Sequence, residues 1–307
     1  LRFRNYNFNF IGKRKIWFII SLAVIIIGVA GYFIRGGFNL GIDFLGGSLL
    51  EVEFEEEVNV AEVREVMTDS GYSSAIIQMV KTELIQTESN RFIIRIKAKE
   101  LGTTISTEEK NEILDSLDER IGLTGELLQD RAVDPGFSRV LINNALLAIG
   151  ISIAGILIYI WIRFEFRFGA TAILALFHDV LVTLGVYAIL NREINTSTIA
   201  AVLTIIGYSL NDTIVVFDRI RENTPKTGKF GYSKVVNDSV NVTLSRSINT
   251  SLTTLFPVIL LLILGTTALK DFALALAIGI ISGTYSSMFF ASPILVAWNN
   301  RFPRYKK

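Results

Sequence analysis

The chain has no cysteine, which excludes disulfides, zinc–thiolate sites, iron–sulfur clusters and cysteine nucleophiles together. Its one histidine, His178, is too few for a histidine-based metal centre, so no metal site is expected. Net charge is only +1, leaving no basic surplus to neutralise phosphates, and nucleic acid is excluded as the main partner. There is no Gly-x-x-x-x-Gly-Lys-Ser/Thr phosphate loop: Thr227-Gly228-Lys229 lacks the upstream glycine and the following hydroxyl. ATP hydrolysis by this chain is therefore not expected; we read it as no enzyme and assign it no cofactor.

What is abundant is apolar sequence in blocks. Half of the residues are hydrophobic and mean hydropathy is +0.46 although 19% are charged, so polar and apolar residues must be segregated. That is the composition of a polytopic membrane protein. Ile16 to Ile34 exceeds the roughly 7 to 15 residues of a signal-peptide apolar region, and predicts an uncleaved first span. Because the chain opens on Leu1, a short preceding segment is expected. The hydropathy pattern predicts an N-terminal segment 1–15, spans at 16–35, 138–162, 168–190, 197–217, 248–265 and 271–298, a domain at 36–137, a basic loop at 218–247, and a tail at 299–307. Within these, the fifth apolar run, Asn249 to Leu264, is short and carries Pro257, which predicts a kinked or tilted helix. Ala275, Gly279 and Gly283, and Gly150 with Ala154, are small residues at four-residue spacing suited to ordinary bundle packing.

Residues 48–134 read as an α+β domain. Leu50, Val52 and Phe54 alternate with glutamates, the period of a strand with one buried face. Asn59 with Glu62, and Ser106 with Glu109, are capping boxes for helices striped by Val60, Val63 and Met67 and by Ile113, Leu117 and Ile121. Strand patterns at Ala75 to Val80, Arg91 to Lys97 and Glu126 to Val133 complete β-α-β-β-α-β, the ferredoxin-like order, with Asp134-Pro135-Gly136 closing the domain. Ahead of it, Gly41-Ile-Asp43-Phe-Leu-Gly46-Gly47 sets three glycines around an aspartate, the composition of a tight turn or a close backbone approach.

Charge sets the topology. The segments on the N-terminal side of the membrane hold Arg2, Arg4, Lys13, Arg14, Lys15, Arg163, Arg167, Arg219, Arg221, Lys226, Lys229, Lys234, Arg246, Arg301, Arg304, Lys306 and Lys307, whereas the two short opposite loops hold Arg192 and Lys270. The positive-inside bias then predicts cytoplasmic N- and C-termini and a 36–137 domain on the far side.

Chemistry is expected at ionisable groups inside the spans. Asp212, beside Asn211 in an apolar run, costs roughly 2.5 to 3.5 kcal/mol at a helix centre and so requires a partner, a cavity or a bound proton. Asp212 lies about 7 Å from its helix centre, in the same layer as Arg246 at the start of span five, so an Asp212–Arg246 salt bridge with Asn211 bonded to the cluster is expected. Such a cluster is either a static polar lock or a protonatable relay. His178 and Asp179 form an accessory polar site with the same two readings. Asp179 and Asp212, on adjacent spans, also fit the outline of an intramembrane aspartyl protease, but Ser209-Leu-Asn-Asp212 lacks the Gly-x-Gly-Asp pattern and the two carboxylates are expected at different depths.

Gly207-Tyr-Ser-Leu-Asn-Asp-Thr-Ile-Val-Val-Phe-Asp-Arg-Ile-Arg-Glu222, together with the glycine motif at 41–47, His178-Asp179 and Leu244-Ser-Arg-Ser247, resembles the SecD/SecF family, SecF in particular, within the resistance-nodulation-division superfamily. The resemblance spans essentially the whole length. It implies a six-helix polytopic membrane protein of the bacterial inner membrane with a periplasmic α+β ferredoxin-like domain between helices 1 and 2. It also implies pairing with SecD, association with the SecYEG channel and with YajC and YidC, preprotein substrates, and use of the proton motive force, the coupling ion being H⁺ or Na⁺. By the same resemblance Asp212 is the proton-relay aspartate, Arg246 its arginine partner, and Asp43 the aspartate of the first periplasmic motif. An ion-driven small-molecule exporter of the superfamily is the alternative.

Overall fold

A computed structural model of the chain describes residues 7–79, 90–97, 105–133 and 135–304; the expected strand end Val80, the domain-closing Asp134, and Arg2, Arg4, Lys306 and Lys307 lie outside them. The chain divides into two units, Leu40–Leu147, and Leu1–Asn39 with Ala148–Lys307. Helix α1 (Arg14–Ile34) is the first apolar span.

In the unit Leu40–Leu147, a one-turn helix α2 (Ile42–Leu45) precedes β1 (Gly47–Phe54), α3 (Val60–Asp69), β2 (Ile76–Met79), β3 (Arg91–Lys97), α4 (Thr107–Ile121) and β4 (Leu123–Val133). The strands form one antiparallel sheet in the order β2-β3-β1-β4, so β3 lies between the two strands that α3 connects. This is the split β-α-β arrangement of ferredoxin-like folds. Alternation in β1 and β3 sends Leu50, Val52, Phe54, Phe92, Ile94 and Ile96 into one core, where they meet Val63 and Met67 of α3 and Ile113 and Leu117 of α4. The register pairs Leu50 with Ile94 and Val52 with Phe92, so cross-strand neighbours share the buried face. Ser106 and Glu109 form the full reciprocal box on α4. On α3, Asn59 Oδ1 caps Ala61 and Glu62 as expected, but the Glu62 carboxylate takes the Asn59 side-chain amide instead of the backbone N–H.

The glycine motif combines both expected roles. Gly46 ends α2 at φ +83°, a conformation open to glycine, and Gly47 begins β1 at φ +145°. A Cβ on Gly47 would stand 2.2 Å from the Ile96 carbonyl oxygen, inside the β1–β3 ladder.

The unit of Leu1–Asn39 with Ala148–Lys307 contains the membrane helices, except that α5 (Pro135–Arg163) begins within Leu40–Leu147. Helix α5 opens on proline, whose missing N–H costs nothing in a first turn, and it therefore starts three residues before the expected 138. It is followed by α6 (Phe166–Ile189), α7 (Thr196–Asn223), a 3₁₀ turn (Thr224–Lys226), α8 (Thr227–Phe230), α9 (Tyr232–Leu264), α10 (Thr267–Tyr285), a π-helical segment (Ser286–Ala291) and α11 (Ser292–Arg301). Among the described residues six helices are long and apolar enough to cross a membrane, and the chain is a multi-pass membrane protein.

Two expectations need correction. The 218–247 loop is mostly helix, because α7 runs on to Asn223 and α9 already begins at Tyr232. Hydropathy marks where apolar sequence stops, whereas a helix continues as long as one face is buried. Tyr232, Val235, Val236, Ser239, Val240, Thr243 and Leu244 form that face. The fifth span is for the same reason a 33-residue helix containing Pro257, not a short one. Its extension is clamped to the N-terminal segment, where Asn237 Oδ1 accepts the Phe10 N–H at 2.9 Å and Asn241 Oδ1 the Phe8 N–H at 2.8 Å.

Helices in lipid gain little from apolar burial and associate through close packing and polar bonds. A Cβ on Gly28 of α1 would lie 2.7 Å from Gly185 Cα of α6, so the two backbones nearly touch. Gly279 and Gly283 of α10 similarly admit Ile205 and Ser209 of α7, while Gly150 faces open space and makes no such seam. At one end of the bundle the buried Asp271 of α10 accepts from Arg192 at 2.6 Å and Asn195 at 3.2 Å, a cluster that hydropathy divided between a loop and a span.

Gly47→Ala forces a Cβ against the Ile96 carbonyl and a strained φ. It should destabilise the Leu40–Leu147 unit by about 1 to 3 kcal/mol, read as faster amide exchange in β1 and β3 of the full chain. The Tyr72 hydroxyl, raised above the ordinary tyrosine range by burial and then by Glu109 and Glu112, gives a pH test. The folded state holds that proton more tightly than the unfolded one, so stability is intact below the unfolded value near pH 10 and falls as pH rises past it. Thermal unfolding of Tyr72→Phe should lack that alkaline decline.

Candidate functional site: two carboxylates on one π-helical segment

Asp179 of α6 has no solvent exposure, and in an apolar bundle its oxygens need internal donors. They have four: Ser282 at 2.6 Å and His178 Nδ1 at 3.0 Å on Oδ1, and Ser209 at 2.5 Å and Ser286 at 2.7 Å on Oδ2. Asp212 of α7 is also buried, and accepts from Ser247 of α9 at 2.6 Å on Oδ1 and from Ser287 at 3.1 Å on Oδ2. Consecutive serines thus reach the two aspartates. In an α-helix adjacent side chains diverge by about 100°. Here Ser286 and Ser287 open the π-helical segment Ser286–Ala291, whose wider turn redistributes those directions. Its cause lies just beyond, where Pro293 in the first turn of α11 lacks the N–H that would bond four residues back, and Ser292 Oγ donates to Ser287 O five residues back.

The structure rearranges the expected cluster. Arg246 does not bridge Asp212: it is exposed, and its neighbour Ser247 occupies the buried face of α9 and takes the carboxylate. The reason is helical phase, since consecutive residues do not share a face. Asn211 is exposed for the same reason, one position from Asp212, and makes no hydrogen bond to the cluster among the described residues. His178 and Asp179 do meet, and their site adjoins that of Asp212 through Ser286 and Ser287, although different depths had been expected. No hydrogen bond joins the two carboxylates among the described residues, and each is engaged by its own hydroxyls, unlike a protease dyad sharing one proton. Asp43 is half-buried in the first turn of α2, in the other unit, and Gly41, Gly46 and Gly47 shape the backbone there.

Sequence reading missed all the serines. The signal was available: Ser282 and Ser286 lie four apart, as do Ser247 and Ser251, the spacing of one helical face. Hydroxyls can donate to a carboxylate or accept from a carboxylic acid, so this shell can satisfy an aspartate in either protonation state.

A model described as "Protein export membrane protein SecD/SecF, C-terminal" matches residues 114–301, and one described as "SecD/SecF GG Motif" matches residues 33–58. The protein translocase subunit SecF of Petrotoga mobilis is 39% identical over 98% of this chain and 99% of its own length. That of Thermodesulfovibrio yellowstonii is 41% identical over 94% of each chain. The crystal structure of SecDF from Thermus thermophilus, a translocon-associated membrane protein, superposes with a TM-score of 0.79 at 38% identity, covering 97% of this chain and 39% of that one.

A double-mutant cycle tests the division of labour between the serines. Ser286→Ala and Asp179→Asn should couple by about 0.5 to 3 kcal/mol in thermal unfolding of the bilayer-reconstituted chain. Ser287→Ala and Asp179→Asn should add to within about 0.5 kcal/mol, because Ser287 serves Asp212.

Proposed function

Since the chain belongs to the SecD/SecF family of protein-export membrane proteins, we propose that it works as the SecF half of a SecD–SecF unit. That unit assists SecYEG-dependent export across the cytoplasmic membrane at the expense of the proton motive force. YajC and YidC are further partners in this reading. The termini are cytoplasmic and residues 36–137 are periplasmic, which the distribution of Lys and Arg supports. Pairing with SecD is supported by the fused SecDF relative, of which this chain spans 39%.

The observation that carries the coupling hypothesis is Asp212, a buried carboxylate held by hydroxyls from two other segments of the bundle. While ionised it accepts from both Ser247 and Ser287, tying α7 to α9 and to the π-helical segment. On gaining a proton it becomes a donor as well, one of its oxygens is a weaker acceptor, and the bonds must rearrange. Arg246, one residue before Ser247, is exposed on α9 and in this reading faces an aqueous path beside that shell. The rearrangement shifts helices against SecD, and such rocking between helical halves is transmitted to the outer domains that hold the preprotein. A potential of 100 mV supplies about 2.3 kcal/mol per proton, comparable to one or two charge-assisted hydrogen bonds.

The test is export of a reporter preprotein in cells carrying Asp212→Asn, with and without a protonophore, at matched SecD co-purification. The expected outcome is slow export that the protonophore no longer slows further. Loss of SecD co-purification would point to a static lock, and normal gradient-sensitive export would place coupling elsewhere.

A further inference from the structure

The relay just described leaves His178 unused. Its side chain is 3% exposed, with Nδ1 at 3.0 Å from Asp179 Oδ1 and the ring stacked on Phe290 at 4.7 Å. Nε2 is buried and has no hydrogen-bond partner. The other three bonds to Asp179 come from hydroxyl donors, so Nδ1 completes the set by donating its proton, and Nε2 is left with a bare lone pair.

His178 also lines a cavity of about 330 Å³ bordered by Ser21 and Val24 of α1, Val182 of α6, and Ile278, Ser282 and Tyr285 of α10. Its walls are apolar, and its few polar atoms have committed their protons elsewhere. Ser21 donates to Tyr285 Oη, Tyr285 donates to the Trp17 carbonyl, and Ser282 donates to Asp179. Nε2 is sealed behind this apolar lining, so a proton donor reaches it only by displacing the cavity wall, and the smallest such donor is water carrying a proton. Sodium prefers a cage of oxygens and is a poor match for an imidazole nitrogen among apolar walls, whereas a protonated water fits.

We propose that His178 is a proton-accepting station: Nε2 takes a proton from water admitted to the cavity, and an imidazolium–Asp179 pair forms. The N–H bond made at Nε2 replaces an O–H bond of hydronium, which leaves as water, and the pair's net charge goes from −1 to zero. That change is felt at Asp212, through space and through the adjoining Ser286 and Ser287. Around His178 the titratable groups are Asp179 on its own helix, Tyr285 on α10 and, beyond the serines, Asp212 on α7. From α1 the cavity receives Ile20, Ser21 and Val24, none of them charged. This inference rests on the reading of Asp212 as the coupling carboxylate.

His178 is the only histidine, so ¹⁵N-histidine labelling of the full chain, prepared without a histidine tag and placed in lipid bilayers, gives a single-site NMR readout. The expected result is the Nδ1–H tautomer at alkaline pH and a second ring N–H, at Nε2, on acidification. Replacing potassium by sodium should leave the titration unchanged, and Val182→Trp, which fills the cavity, should slow exchange of the Nε2 proton. An Nε2–H tautomer at every pH, a ring that never titrates, a sodium-dependent curve, or exchange untouched by Val182→Trp would each overturn the proposal. The export assay of Asp212→Asn separates the two readings. Gradient-insensitive export with a silent His178 overturns only the station, and a titrating His178 with gradient-sensitive Asp212→Asn export overturns only the relay.

Discussion

A carboxylate inside a bilayer-spanning bundle has no water to turn to, so the bundle must bring donors to it or lose its fold. Everything around Asp179 and Asp212 answers that requirement. Their shells draw on α6, α7, α9, and α10 with the π-helical segment that continues it, four separate stretches of backbone that these bonds tie together. The polar bonds in this bundle therefore specify which helices meet, and the apolar surface that remains only specifies that they lie in lipid.

The choice of serine over arginine as the direct partner has a physical consequence. An arginine is a permanent donor and a permanent charge, so a buried arginine–aspartate pair is satisfied in one protonation state only. A hydroxyl donates to a carboxylate and accepts from a carboxylic acid, so protonation costs a rearrangement rather than an orphaned charge. Either state of Asp212 can therefore find partners in the same shell without a second charge being buried. The π-helical segment adds a second element of this kind. Proline at 293 and the side-chain bond of Ser292 weaken the ordinary ladder there, and π turns within α-helices recur at functional sites.

Much of this was legible in the residues, but unevenly. The spans, the strand of Arg91–Lys97 and the helix caps follow from apolar periodicity and short-range side-chain chemistry, which act within a few residues. The intramembrane position of Asp179 and Asp212 was legible because charge in an apolar run is conspicuous. Their partners were not, since an acid in a sequence suggests a base, and Arg246 was the nearest in expected depth; helical phase turned it outward and Ser247 inward. Serine at 286 and 287 reads as incidental until the wide turn that aims both is known, and that turn depends on Pro293, seven and six residues away. The helical character of the basic 218–247 segment was not legible from hydropathy, because its buried stripe, Tyr232 to Leu244, is amphipathic and not uniformly apolar.

The central claim is that Asp212 exchanges its proton within this hydroxyl shell. Infrared difference spectroscopy of the bilayer-embedded chain, taken between alkaline and acidic buffer and subtracted against Asp212→Asn, tests it most directly. The account predicts a protonated-carboxyl stretch that grows on acidification in the native chain, shifts when Ser247 or Ser287 is replaced by alanine, and is missing from the asparagine variant. A difference spectrum without any band assignable to Asp212 across the pH range in which export responds to the gradient would contradict it.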